Sequence, residues 1–188
     1  MPTNYDDIVA LVEQLAARRD PYNHHAPRVA LQSVKLAQVF GLSKPEIELV
    51  NVGAQLHDIG KLLQSAERLN QARKLTADEM SLVRVHPFEG YQIAHALGYA
   101  PIICDVILHH HENVDGTGYP DRLKGNEISI YARIVRIADT YDAMTSRRPY
   151  RLGLSPQNAR LQMEAETNLS FDADLLRLFF EKVFTDAS

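Results

Sequence analysis

Apolar residues recur three and four positions apart along almost the whole chain, the spacing of one buried helix face. Ile8, Val9, Leu11, Val12 and Leu15 form the first stripe, in "YDDIVALVEQLAARR", with Asp6 and Asp7 at the end where the helix dipole favours acids. "APRVALQSVKLAQVFG" repeats the pattern and stops at Gly41, a natural residue just past a helix end. "SKPE" at Ser43 to Glu46 reads as a capping box with Pro45 in the first turn. The helix it opens carries Ile47, Leu49, Val50, Val52 and Leu56 and ends near Gly60. Residues 61 to 75 read as an irregular polar link. "TADE" at Thr76 to Glu79 is a second capping box, opening a helix that Pro87 and Gly90 interrupt. "PIICDVILHHH" is a short, nearly all-apolar helix, hence a buried one, and residues 112 to 126 form a loop. "ISIYARIVRIADTYDAM" starts with strand-forming residues, but its length and continuation favour a helix. After the loop "TSRRPYRLG", Ser155 with Pro156, and then Asp172, start the last two helices. No repeat, low-complexity run or interdomain linker interrupts this order. The prediction is one all-α domain over residues 1–188, a compact bundle of about seven or eight helices.

Composition narrows the function. The chain has 188 residues, 45% of them apolar, enough for a sizeable core. A net charge of -4 shows no basic surplus for duplex nucleic acid, so an anionic substrate would need local cations or metal ions. Cys104, the single cysteine, excludes an intrachain disulfide, reads as core and fits a reducing compartment. No apolar run approaches the roughly 20 residues that span a bilayer, and the N-terminal stretch lacks a secretory hydrophobic region. The expectation is a cytoplasmic protein that does not enter a membrane.

The candidate chemistry lies in histidines and aspartates at helix ends and breaks. "LHDIGK" sets His57 beside Asp58 at a helix C-terminus. Adjacent helical side chains point about 100° apart, so the pair can flank one metal ion or serve two. A carboxylate can bridge two ions, whereas an imidazole gives one nitrogen. Gly60 lets the chain turn nearby and Lys61 adds a cation, although a plain helix end would use the same residues. In "VHPFEG", Pro87 should push His86 toward extended backbone and free its side chain for a cavity; the plainer alternative is a kink with an incidental histidine. "HHHE" puts His109, His110 and His111 at the end of a buried helix, where a cation would satisfy two neutral rings. The alternative is a polar terminus opening to solvent. In "RIADTYDAM", Asp139 sits in an apolar helix with Asp142 one turn later. A buried carboxylate must bind metal or pair, here with Arg133 or Arg136. "YNHHAPRV" offers His24 or His25. One of these, with His57, Asp58, His86, two of the three consecutive histidines and Asp139, makes a nitrogen and oxygen ligand set too large for one ion. It suits two ions sharing a carboxylate. Without thiolates, Mn²⁺ or Fe²⁺ is plausible and Zn²⁺ less distinctive. Two ions about 3.5–4 Å apart activate water and neutralise a phosphoryl group.

From about Asp20 to Arg151 the order of "HH", "HDIGK", "HP", "HHENVDGTGYP" and "IADTYDAMTSRRPYR" resembles the HD-GYP branch of the HD metal-dependent phosphohydrolases. The resemblance implies a helical phosphodiesterase, many such proteins hydrolysing cyclic di-GMP to pGpG or GMP. It selects His25 over His24, and His110 and His111 over His109. It implies one ion held by His25, His57, Asp58 and Asp139, and another by Asp58, His86, His110 and His111, with Asp58 bridging. Lys61 would lie near the attacked phosphate, Arg148 and Arg151 would contact substrate, and Tyr119 would belong to a stiff "DGTGYP" wall of the cleft. Asp142 would lie near the metals. Some members hold a third ion through a glutamate four residues before the first histidine; here that position is Pro21, between Asp20 and Tyr22, so two ions are expected.

The expected reaction is hydrolysis of cyclic di-GMP. Two divalent ions, iron or manganese, would lower the pKa of a bridging water, with Asp58 and Lys61 in catalytic roles. Two alternatives remain: a phosphohydrolase for another nucleotide, and a module that docks a diguanylate cyclase domain. A homodimer through the apolar first and last helices is also compatible with the sequence.

Overall fold

The computed structural model describes residues 25–65, 73, 76–146 and 152–184. The expected N-terminal helix, His24, Arg148 and Arg151 lie outside the described residues. Eight α-helices run in order among the described residues: α1 (His25–Phe40), α2 (Lys44–Leu56), α3 (Ala77–Val83), α4 (His86–Ala96), α5 (Pro101–His109), α6 (Ile130–Thr145), α7 (Pro156–Ala165) and α8 (Ala173–Leu178). A 3₁₀ turn, Ile59–Leu63, follows α2, another spans Gly125–Glu127, and a π turn, Phe179–Val183, extends α8. The all-α expectation holds, and the only β feature among these residues is an isolated bridge between Thr167 and Phe171. No described helix is long and apolar enough to cross a membrane.

The local start signals act as the sequence suggested. Both capping boxes form, at Ser43 with Glu46 and at Thr76 with Glu79. Ser155 and Asp172 accept hydrogen bonds from the backbone N–H groups of Asn158 and Leu175. Gly41 takes φ +97°, the left-handed turn that ends α1. "IYARIVRIADTYDAMT" is helical throughout, so burial of its apolar stripe overrides the strand preference of its first residues.

Pro87 departs from expectation. It starts a helix instead of interrupting one: α3 ends at Val83, and His86 is the first residue of α4 with Pro87 in its first turn. Proline has no N–H to lose at that position, so its fixed φ favours the helix start. His86 is therefore aimed by a helix N-terminus, not by extended backbone.

Two cores hold the bundle. The larger one joins Val29 and Leu36 of α1, Val50 and Ala54 of α2, Ile134 and Ile137 of α6, Met163 of α7 and Leu175 with Phe179 at the end. The smaller one joins Leu56 and Ile59 to Ala94 of α4 and Ile103, Cys104 and Ile107 of α5. Helices α2 and α5 feed both cores, since Val50 and Val106 face the larger and Leu56 and Ile107 the smaller. Their C-terminal ends, carrying His57–Asp58 and His110, thus come together where the two cores meet. Gly60 is needed here: a Cβ on it would stand 2.0 Å from the His86 carbonyl oxygen, so only glycine lets the 3₁₀ turn touch the start of α4.

Candidate metal centre

His57, His86 and His110 are fixed by the same device. Each ring Nδ1 lies at hydrogen-bonding distance from a carbonyl oxygen three residues earlier: Ala54 for His57 (2.6 Å), Val83 for His86 (2.7 Å) and Ile107 for His110 (2.9 Å). A carbonyl only accepts, so Nδ1 carries the proton and a neutral ring presents a bare Nε2. Burial holds His57 below its usual pKa, and burial with the neighbouring His111, His57 and His86 holds His110 well below.

Those bare nitrogens converge on Asp58. His86 Nε2 is 3.1 Å from Asp58 Oδ1 and 3.3 Å from His110 Nε2. His57 Nε2 is 3.5 Å from Asp58 Oδ2, and His110 Nε2 is 3.9 Å from Oδ1. Neither His57 Nε2 nor Asp58 Oδ1 has a hydrogen-bond partner although both are buried. Lone pairs facing lone pairs in a buried space need a cation between them. Ligand atoms of Asp58, His86, His110 and His111 lie within 4.8 Å of one another, and so do those of His25, His57 and Asp58. The donor set therefore fits divalent ions, and Asp58 belongs to both groups. Burial pushes the Asp58 pKa up, but the Lys61 ammonium leads the groups that outweigh it, and the carboxyl stays well below its ordinary range. Lys61 Nζ donates to Asp58 Oδ2 at 2.6 Å.

Asp139 joins the first group. Its Oδ1 is 3.1 Å from His25 Nε2 and 3.8 Å from His57 Nε2. Burial opposes its charge, but the hydrogen bond from His25 leads the interactions that hold it well below its ordinary pKa. Pairing with Arg133 or Arg136 is not what satisfies it: Arg133 binds Asp172, and Arg136 binds Asn113 and Thr140.

Asp142 has a different task. Its Oδ2 takes His25 Nδ1 at 2.7 Å, and its two oxygens accept from Arg28 Nε (2.6 Å) and Nη2 (2.9 Å). Ser146 Oγ adds a contact at 3.1 Å. A carboxylate on Nδ1 turns His25 Nε2 toward Asp139 and the metal centre, the usual way an outer carboxylate orients a ligand. Burial lowers the His25 pKa, but Asp139 and Asp142 outweigh it and raise it to about 9. Arg28 escaped the sequence reading; the available signal was its place one turn after His25 on the same helix face.

His111 is braced by the glycine-rich loop. The Tyr119 ring stacks on it, with centroids 4.8 Å apart and planes at 27°. Gly118 approaches the backbone of Glu112 and Asn113 so closely that a Cβ would lie 2.3 Å from the Asn113 nitrogen. Buried Glu112 anchors the far side of the loop through the N–H groups of Asp121 (2.7 Å) and Arg122 (3.0 Å). His109 turns away from the centre and clasps Asp105 (2.7 Å) and Asp121 (3.0 Å). The structure thus brings together all seven expected metal ligands and Lys61.

The profile of the HD domain matches residues 10–175, most of the chain. The chain belongs to the HD domain family. It is 39% identical over 166 residues to the Cyclic di-GMP phosphodiesterase PA4108 of Pseudomonas aeruginosa, an alignment covering 87% of this chain and 40% of that protein. It is 30% identical over 181 residues to the 3'3'-cGAMP-specific phosphodiesterase 2 of Vibrio cholerae, covering 95% of this chain and 35% of that one. The fold matches Bd1817, a HDG"Y"P protein from Bdellovibrio bacteriovorus, with a TM-score of 0.71 and 22% identity, over 93% of this chain and 58% of that one. The complete "GYP" motif and these sequence relatives place this HD domain in the HD-GYP branch. The chain spans two fifths or less of the length of these two curated relatives.

Proposed function

We propose that this HD-GYP domain is a metal-dependent phosphodiesterase that hydrolyses cyclic di-GMP to pGpG or GMP. The observation that carries the reading is Asp58, a carboxylate faced by bare imidazole nitrogens from two separate ligand groups. His25, His57, Asp58 and Asp139 would hold one ion, and Asp58, His86, His110 and His111 the other. Iron or manganese suits these nitrogen and oxygen donors. Bound there, the pair would supply water activation near neutral pH and charge neutralisation at the phosphate.

The chain's own groups do the rest. Three imidazoles locked by backbone carbonyls require no reorganisation when ligands engage. In hydrolysis a bond from water oxygen to phosphorus forms as the P–O3′ bond breaks, and the leaving oxygen takes a proton. Lys61, 2.6 Å from Asp58, is the ammonium placed to steady the phosphate oxygens and to donate toward that leaving group. Arg148 and Arg151 complete the proposed substrate contacts, with Tyr119 on the cleft wall. The Vibrio relative's name favours a second substrate of the same class, 3'3'-cGAMP. Assembly with a diguanylate cyclase domain or a second copy is compatible with this chemistry, whereas docking alone gives no reason for a full ligand set.

The test is turnover of cyclic di-GMP by manganese- or iron-loaded protein with chromatography of products. Wild-type hydrolysis that is abolished in the His57→Ala/Asp58→Ala double variant supports the reading. Metal-loaded wild type that cleaves no cyclic dinucleotide overturns it.

A further inference from the structure

Arg84 forms part of the centre's surroundings without holding a metal ligand directly. It closes α3, two residues before His86, with its side chain exposed. Its guanidinium carbon stands over the Tyr119 ring, 5.2 Å from the centroid, and that ring lies on His111. The turn between α3 and α4 is thereby tied to the glycine-rich loop, and a positive charge is brought within two stacking steps of a metal-ligating imidazole. Among the described residues no carboxylate lies within ion-pair distance of Arg84. The neighbouring cations differ: Arg28 is committed to Asp142, Arg136 to Asn113, and Lys61 to Asp58. A guanidinium is a planar fork with N–H donors along its edge, and an aromatic ring beside it engages the charge without pairing those donors as a carboxylate would. That edge matches a planar pair of acceptors, as on a phosphate or on guanine O6 and N7.

A cyclic dinucleotide has two phosphodiesters and two bases, and one metal pair takes a single phosphodiester. We propose that Arg84 is a substrate-contacting residue that holds a pair of acceptors on the half of the cyclic dinucleotide remote from the cleaved bond. This rests on the phosphodiesterase reading above. It makes Arg84 a selector for dinucleotides over small phosphodiesters, with Tyr119 as its platform.

Arg84→Gln keeps a planar terminus over Tyr119 but removes the charge; Arg84→Lys keeps the charge but loses the fork. Kinetics would be compared on cyclic di-GMP, cyclic di-AMP and bis(p-nitrophenyl) phosphate, which has one phosphodiester and no base. Binding of a hydrolysis-resistant bis-phosphorothioate of cyclic di-GMP would be measured alongside. For Arg84→Gln we expect KM for cyclic di-GMP to rise about tenfold, with the small substrate unchanged within about twofold, and for Arg84→Lys a rise of about threefold. Equal losses on the two dinucleotides identify the distal phosphate as the partner, and a larger loss on cyclic di-GMP identifies the guanine edge. Losses of the same size on bis(p-nitrophenyl) phosphate would overturn the proposal and make Arg84 a brace for Tyr119 and His111. If wild type binds the analogue but cleaves no dinucleotide, the function falls while the binding ratio still decides Arg84. If wild type does not bind it, both fall.

Discussion

The two halves of the candidate metal centre orient their outer histidines by opposite means. On the side of the larger core, His25 of α1 sits between two carboxylates, Asp139 and Asp142, and Arg28 and Ser146 hold Asp142 in turn. On the side of the smaller core, His86 of α4 and His110 after α5 are aimed by backbone carbonyls, as His57 is, and His111 is stacked on a tyrosine ring. The first half is rich in negative charge and holds a proton on His25. In the second, burial holds His110 and His111 well below their usual pKa, so these two imidazoles are already deprotonated. One half must exchange a proton for a metal ion; the other waits with lone pairs exposed to one another. Asp58 joins them, and breaking that joint is the largest change available. Asp58→Ala should abolish turnover and reduce stable metal content from two ions to none, read by elemental analysis after gel filtration. Retention of two ions would end the bridging assignment.

The second effect separates the halves by pH. His25 must lose its proton to bind metal, so affinity at its site should rise by up to about tenfold per pH unit and level off near pH 9. Binding at the site of His86, His110 and His111 should vary far less above neutral pH, because burial holds His110 and His111 well below their usual pKa. Manganese titrations of chelator-treated protein between about pH 6.5 and 9 would resolve two steps of different slope. Parallel slopes would remove the contrast. Stability follows the same group: the His25 pKa lies above its ordinary 6.5, so its pairing contributes fully below that pH and is lost as pH rises through about 9.

How much of this was legible in the sequence depends on how local each signal is. Capping boxes, N-caps and Gly41 involve neighbours within four residues, and all of them form. The candidate ligand types were legible only as a set, since each motif taken singly also fits a plain helix end, a kink or a buried ion pair. Choosing His25, His110 and His111 among their neighbours took the family resemblance, since a shift of one residue turns a helical side chain by about 100°. Pro87 was misread because proline breaks a helix in its interior and favours one at its start, and only the packing of Gly60 against His86 shows which applies. Arg28 and Arg84 were missed for another reason: their partners, Asp142 and Tyr119, lie far along the chain, and charge alone does not announce a distant partner.

Arg28 gives the third test of the contrast. Removing an outer partner of a metal ligand typically costs about 10–100-fold in affinity. Arg28→Ala should do so only at the His25 site, because nothing on the His86 side depends on Asp142. Arg28→Lys should recover part of the loss, since it restores charge without the two-pronged grip. Metal titration resolved into two steps checks this, and an equal weakening of both steps would show that Arg28 acts through the fold.

His109 supplies the smallest effect and tests whether the second half needs ionic support at all. It stands beside two proposed ligands yet turns outward, joining Asp105 of α5 to Asp121 of the glycine-rich loop. Asp105 in turn accepts from the Ser129 hydroxyl at the start of α6. Burial pulls the His109 pKa down, but the two aspartates outweigh it, so the net shift is upward from 6.5. The clasp therefore contributes fully below pH 6.5 and fades as pH rises through the raised value. Glu112 still holds the loop through the Asp121 and Arg122 N–H groups, and Gly118 still packs on the Asn113 backbone. Loss of a partly exposed ionic clasp from an otherwise anchored loop should cost about 1 kcal/mol. His109→Gln should accordingly lower the melting temperature by a few degrees near pH 6, less near pH 9, with both ions still bound. A pH-independent difference would show that His109 acts by packing, and loss of the His86-side ion would show that the carbonyl-locked half leans on this clasp after all.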